Sequence, residues 1–335
     1  MNTTSPLRLF VHKNRTLLIV LLVALASVIY GSIVNLQVTT ALMASALRHS
    51  TPLVLGAMCG LIGERSGVIN IGIEGQMLMS AFIGFLVNVA TGNLLIAVLA
   101  GVLTGALLGL LLAFMSVTLR TDQIIGGTVI NILALGLTGY FYTAGLRTQG
   151  KLGPIPLGPL ADIPLIGPVL FNNPPITYAT ILLVFIVNFV LFRTSWGLRT
   201  RAVGEHPRAA DTVGINVYKV QYINVILAGA MAGLAGAFLT LEAVGSFERA
   251  MTNGRGFVAL AVMIFGNWSP LGAWGAALLF GFTTAVQTQL QFAGQVQIPH
   301  QFIGMLPYLM TIIVLAGFVG RSHAPAAEGT PYTKE

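Results

Sequence analysis

Six long stretches without Asp, Glu, Lys or Arg divide this chain, at residues 16–47, 75–119, 123–146, 163–192, 220–241 and 256–320. A helix crosses the hydrocarbon core with about 20 residues, so the last stretch holds about three crossings. Apolar spans are predicted near 16–34, 48–63, 68–90, 94–117, 124–145, 176–193, 219–242, 256–267, 271–290 and 301–320. The fold class is therefore all-α, a polytopic transmembrane helical bundle of about 10 spans. The eighth span is short, which suggests a tilted or broken helix.

Charge distribution orients this bundle. With the N-terminus inside, the inner side carries twelve Lys and Arg residues (Arg8, Lys13, Arg15, Arg65, Arg120, Arg193, Arg199, Arg201, Arg208, Lys219, Arg321 and Lys334). The outer side keeps five: Arg48, Arg147, Lys151, Arg249 and Arg255. Positive residues concentrate on the cytoplasmic side of membrane proteins, so both termini are placed inside. The domains follow: a cytoplasmic N-terminus at 1–15, a membrane domain at 16–320, and a Pro/Ala/Gly-rich tail at 321–335 that is expected to be disordered. Arg8, Lys13 and Arg15 ahead of the first span fit a retained signal anchor better than a cleaved signal.

Composition excludes several classes. Charged residues are 8% of the chain and hydrophobic ones 55%, against roughly 25% charged in a soluble domain. The net charge of +7 is the topology signal at helix ends, so no nucleic-acid partner is implied. Cys59 stands alone in an apolar segment, which excludes a disulfide framework. His12, His49, His206, His300 and His323 show no metal-ligand spacing. No Gly-x-x-x-x-Gly-Lys-Ser/Thr loop surrounds any of the four lysines, so the chain carries no phosphate-binding loop for nucleotide hydrolysis. No catalytic residue, metal or cofactor is expected, and a membrane enzyme is a weak reading.

Four features carry chemistry. Residues 193–219 hold five of the 17 Lys and Arg residues, and within the predicted inner loop 194–218 lies a short punctuated helix. Pro207 suits its first position and Gly214 the left-handed position beyond its end. Ala209, Ala210, Val213 and Ile215 give it a small apolar surface, which points to a protein partner on that side. Residues 63–76 form a tight inner turn leading into the third span, with Asn70 and Glu74 expected on one helix face and Gln76 just beyond. A carboxylate inside the bilayer costs about 2.5–3.5 kcal/mol, so Glu74 requires a partner, water or a transport role. Two polar stripes follow: Thr128, Asn131, Thr138 and Tyr142 on the fifth span, and Thr284, Gln287, Thr288 and Gln291 on the ninth. They either bond neighbouring helices or line a wet path for a neutral solute. Lastly, the outer loop 146–175 holds seven of the 15 prolines and reads as a stiff extended platform, with Lys151, Arg249 and Arg255 as docking candidates. Gly101, Gly105 and Gly109, and likewise Gly229 and Gly233, have the spacing of close helix packing.

Residues 64–75, from Glu64-Arg65-Ser66-Gly67 to Glu74-Gly75, and residues 201–215, around Gly204-Glu205-His206-Pro207, resemble two motifs of one family. These are the membrane permease subunits of ABC importers for branched-chain amino acids, ribose-type sugars and nucleosides. The resemblance covers roughly residues 40–320 and is nearer to the nucleoside and simple-sugar branch; His206 departs from an expected Asn at the helix cap. It implies a multi-pass protein of a bacterial-type inner membrane, paired with a second, different permease chain, cytoplasmic ABC ATPase subunits and an external solute-binding protein. It also implies that Arg201, Gly204, Glu205 and the 207–214 helix couple to the ATPase, and that the solute is a nucleoside. A simple sugar or other neutral polar solute is the alternative. A secondary transporter using Glu74 as a proton or ion site is the alternative of a different class, and a non-transporting scaffold is a third.

Overall fold

The computed structural model describes residues 35–293, 299–307, 309, 310, 312 and 323–334. The expected first span at 16–34, and half of the expected tenth at 301–320, lie outside these residues.

The described chain is mostly helical. Its elements are α1 (Leu36–Glu64), α2 (Ile73–Thr91), α3 (Leu94–Ala113, extended by a π turn at Phe114–Thr118) and α4 (Gln123–Tyr140). Then come a loop with α5 (Ile166–Leu170), then α6 (Pro175–Arg193), α7 (Ser195–Glu205) and α8 (Pro207–Thr212). The remainder is α9 (Val217–Ala237, extended by a π turn at Phe238–Val244), α10 (Arg255–Phe265), α11 (Pro270–Ala293) and α12 (His300–Gly304). Among the described residues, five helices are long and apolar enough to cross a membrane: α2, α3, α4, α6 and α9, with the π turns included.

The molecule has two ends. A basic end gathers Arg65, Arg201, Arg208 and Lys219, and a proline-rich end gathers the loop between α4 and α6 with the last turn of α9. The second half of α1 is the hub, buried at every residue from Ser50 to Glu64, and packed by α9, α10 and α11. Pro52 lies inside it and has no N–H to return to the Arg48 carbonyl.

The two glycine series predicted from spacing meet each other. A Cβ on Gly105 would overlap the Gly229 carbonyl, and one on Gly109 would lie 2.6 Å from the Val225 carbonyl oxygen. α3 and α9 thus pack backbone to backbone, the close approach that small residues at four-residue spacing permit.

The expected start of the third span is corrected. The helix after the 63–76 turn begins at Ile73, not near 68, so Asn70 precedes it and does not share a helix face with Glu74. Gly67, at φ +87°, turns the chain back toward the bundle interior after the last bonds of α1, and the N–H groups of residues 69–72 make no helical hydrogen bonds. Side chains of α4 supply partners: the Ile69 N–H donates to Gln123 Oε1 (2.7 Å) and the Gly75 N–H to Asn131 Oδ1 (2.7 Å). The shortness of the eighth span has the same cause. After α9 the chain turns through Gly245, Ala250, Asn253 and Gly254, all at positive φ, and α10 starts only at Arg255.

The tail also departs from expectation. Residues 323–334 are not a free extension; they lie against the basic end, with Pro325 and Tyr332 buried. Their lack of helical period hid this, because their partners are backbone groups far away in sequence. The proline-rich loop is likewise folded rather than extended. A two-residue antiparallel ladder pairs Ile155 with Asn173 and Pro156 with Asn172, enclosing a 3₁₀ turn at Gly158–Asp162 and α5.

Candidate functional site

The N-terminal turns of α2 and α10 meet inside the bundle, and Glu74 sits between them. Its Oε1 accepts the Gly254 N–H (2.8 Å) and its Oε2 the Gly256 N–H (2.6 Å). Gly256 is required, since a Cβ there would lie 2.5 Å from the Glu74 backbone nitrogen. The junction is deep. Gly56 of α1, whose Cβ would press on Ala259 and Ile73, lies about 12 Å along the helix axis from Glu64. A helix N-terminus exposes unpaired N–H groups and a partial positive charge. The Glu74 carboxylate answers both for α10, which explains how an acid is kept inside the bundle.

The neighbouring polar residues fasten the re-entrant segment. Asn131 bridges it twice, accepting from Gly75 and donating Nδ2 to the Ile71 carbonyl (3.0 Å). Asn70 Nδ2 donates to Gln76 Oε1 (3.0 Å), and both side chains are fully buried beside Cys59. Glu74, Asn131, Asn70 and Gln76 are thus brought together, in one framework around residues 65–76. The two stripes are not joined to them as a set. Thr128 is exposed and bonds back to the Ile124 carbonyl of its own helix. Thr284 bonds back to Phe280 on α11, and Gln287 is half-buried on the same helix. Tyr142 stands at the proline-rich end, donating to Glu248 Oε2 (3.3 Å), with the Arg249 guanidinium 5.0 Å from its ring centroid.

At the basic end, the inner loop is two helices instead of one. Thr194 caps α7 through the Gly197 N–H, and Pro207 opens α8, which Gly214 follows at φ +84°. Gly204 lies flat on the re-entrant segment: a Cβ would overlap the Arg65 carbonyl. Gln221 Nε2 donates to the Ser66 carbonyl (3.2 Å). Arg65 donates Nε and Nη2 to the Trp268 carbonyl (3.0 and 2.8 Å), and the Trp268 indole donates to Glu64 Oε2 (2.6 Å). The Arg201 guanidinium lies 5.3 Å from the Phe192 ring centroid. Glu205 accepts from the tail at Ala326 (3.2 Å). α8 buries Ala210 and presents Ala209 and Val213, the latter 75% exposed, outward. Glu64, Trp268 and Gln221 are contributors that sequence reasoning missed; an acid and an indole at helix ends 204 residues apart give no local signal.

At the proline-rich end, Glu242 is buried and takes a role sequence reading did not assign. Its carboxylate accepts the Ile176 and Thr177 N–H groups (2.7 and 3.1 Å) and the Thr177 hydroxyl (2.6 Å), capping α6. The π turn ending α9 aims it there. Around it opens a cavity of 1160 Å³, lined in part by Arg48, His49, Lys151, Glu242 and Arg255, slightly above the roughly 300–1,000 Å³ of small-molecule sites. Four segments far apart in sequence bring these charged side chains to one place. Much of that charge is tied to backbone: Lys151 Nζ donates to the Ala243 carbonyl and Arg255 Nη1 to Met251 (2.8 and 2.7 Å).

Comparison with known proteins places this geometry. The family described as "Branched-chain amino acid transport system / permease component" matches residues 42–315. The chain belongs to that permease family. It is 40% identical over 319 residues to the guanosine ABC transporter permease protein NupQ of Bacillus subtilis, covering 89% of this chain and 98% of the relative. It is 39% identical over 309 residues to the nucleoside ABC transporter permease protein NupC of Lactococcus lactis, covering 88% and 96%. It is 33% identical over 321 residues to the putative glucose ABC transporter permease protein TsgC13 of Haloferax volcanii, covering 88% and 98%. No solved structure matches. The permease is a multi-pass membrane subunit and not an enzyme; ATP hydrolysis belongs to separate subunits.

Proposed function

We propose that this permease carries nucleosides inward across a bacterial inner membrane, as one of two permease chains in an ATP-driven importer. The observation that carries the reading is the near full-length identity, 40% and 39%, to permeases named for guanosine and nucleosides. A second chain is supported by paired names: NupP and NupQ in one organism, NupB and NupC in another, all named permease proteins and all similar to this chain. Two cytoplasmic ATPase subunits and an external solute-binding protein complete the assembly. The basic end is then cytoplasmic and the proline-rich end external, with about ten spans and both termini inside.

In this reading the exposed face of α8, Ala209 and Val213, meets the ATPase. ATP-driven displacement of α7–α8 acts through Gly204 on the re-entrant segment, and from there on the junction of α2 and α10 at Glu74. Alternating access follows when that junction has two arrangements and each ligand favours one. The external cavity receives solute from the binding protein, with Lys151, Arg249 and Arg255 near the docking face. The proton-carrier alternative finds no support at Glu74, where both carboxylate oxygens are taken up by backbone N–H donors of α10 and the turn before it.

The test is uptake of labelled guanosine, other nucleosides, ribose and leucine by cells with and without the chain. Loss of nucleoside uptake alone is expected. Loss of leucine uptake with nucleoside uptake intact overturns the assignment.

A further inference from the structure

The tail touches α7, α8 and the re-entrant segment, three parts of the proposed coupling path. Its Ala327 N–H donates to the Gly204 carbonyl at the end of α7 (2.9 Å), and two residues on the Gly329 N–H donates to the Gly67 carbonyl of the re-entrant segment (3.2 Å). The turn between them is closed by its own bonds, Glu328 N–H to Pro325 and Thr330 N–H to Ala327. Its Glu328 carboxyl faces that of Glu64 at the end of α1. On one side His323 N–H reaches Asn267, just beyond α10 (2.9 Å). On the other, Tyr332 is buried among Val203, Ala210, Val217 and Val220, its ring 5.4 Å from that of Tyr218. Lys334 then pairs with Asp211 of α8 (3.6 Å). Gly329 stands at φ +75°, and a Cβ there would lie 2.8 Å from Ile69, so the turn fits closely against the re-entrant segment.

We infer that residues 323–334 form a strap that transmits displacement of α7–α8 to residues 65–72, and that Tyr332 is its anchoring, positioning residue. The geometry requires this in a simple way. One short hydrogen-bonded turn holds Gly204 and Gly67 together, so α7 cannot shift relative to the re-entrant segment without breaking two backbone bonds or carrying the segment along. Tyr332 and Lys334 fix the far end of the strap to α8 and α9, while Ala209 and Val213 stay open for the ATPase. The strap therefore adds a second connection to the direct Gly204–Arg65 packing. This inference rests on the proposed coupling role of α8.

The experiment uses the whole importer in proteoliposomes, with binding protein and labelled guanosine, and reads transport per ATP hydrolysed. A chain ending at Ser322 and the variant Tyr332→Ala are each expected to retain the ATPase on purification and to keep basal hydrolysis within about twofold. Guanosine moved per ATP should fall about fivefold or more, and Tyr332→Phe, which keeps the ring, should restore most of it. An unchanged ratio in both variants overturns the strap, and so does a parallel fall in hydrolysis and transport, which marks a role in stability alone. If the shortened chain does not insert, Tyr332→Ala decides by the same ratio. A wild-type complex that holds no ATPase overturns the coupling reading itself, and the strap's role with it.

Discussion

Gly105 on α3 and Gly229 on α9 lie in backbone contact, each occupying the space where the other's Cβ would stand. Overpacking of a well-filled contact costs about 1–3 kcal/mol. Gly105→Ala should therefore lower thermal stability in detergent, while Gly136→Ala, with open space around it, should leave it unchanged. Equal melting temperatures for the two variants would show that the α3–α9 contact is looser than described.

Glu74 makes two carboxylate bonds to two backbone donors, and this sets the order of its variants. A glutamine keeps one acceptor and places an NH₂ donor against the other N–H, so the near-isosteric change is not a mild one. Leaving a buried donor unpaired costs about 1–3 kcal/mol. Glu74→Gln should lose stability by about that amount, close to Glu74→Ala, measured by thermal unfolding of the purified complex. A Gln variant as stable as wild type would argue against the paired N–H geometry.

Val213 projects from α8 with 75% of its surface exposed, so its side chain does little for the fold of the isolated chain. Val213→Asp should insert and fold as wild type yet retain the ATPase subunit at least about tenfold less well on purification. Undiminished co-purification would place the ATPase contact elsewhere.

Docking of the strap should depend on pH. Burial raises the Glu328 carboxyl above its ordinary range, where a free glutamate titrates near 4.3. Glu64 and Glu205, both acidic, face the strap on this side, with the Trp268 indole bonded to Glu64. A group whose bound pKa is raised adds stability that is complete below its free value and lost as pH rises through its bound value. A spin label at Thr330→Cys should thus become more mobile with rising pH, and Glu328→Gln, neutral throughout, should flatten the transition. Greater mobility on acidification would reverse the sign and refute a raised Glu328 carboxyl in the docked strap.

How much was legible beforehand depended on whether a feature is local. The apolar stretches, the Pro207 to Gly214 punctuation and the four-residue glycine spacing are properties of neighbouring residues, so the sequence by itself determined the helical membrane class, the short helix among basic residues and the close-packing faces. The two motifs at 64–75 and 201–215 also carried the family. Tertiary structure alone decided what Glu74 and Glu242 do. Glu74 meets its donors 180 residues away and Glu242 meets its own 66 and 65 residues back, and nothing in a one-dimensional pattern tells which helix N-terminus will arrive beside a carboxylate. The same holds for the tail. A short Pro/Ala/Gly segment has no period to read, and its order comes from the backbone of Gly67 and Gly204, groups that every residue possesses and no sequence can mark.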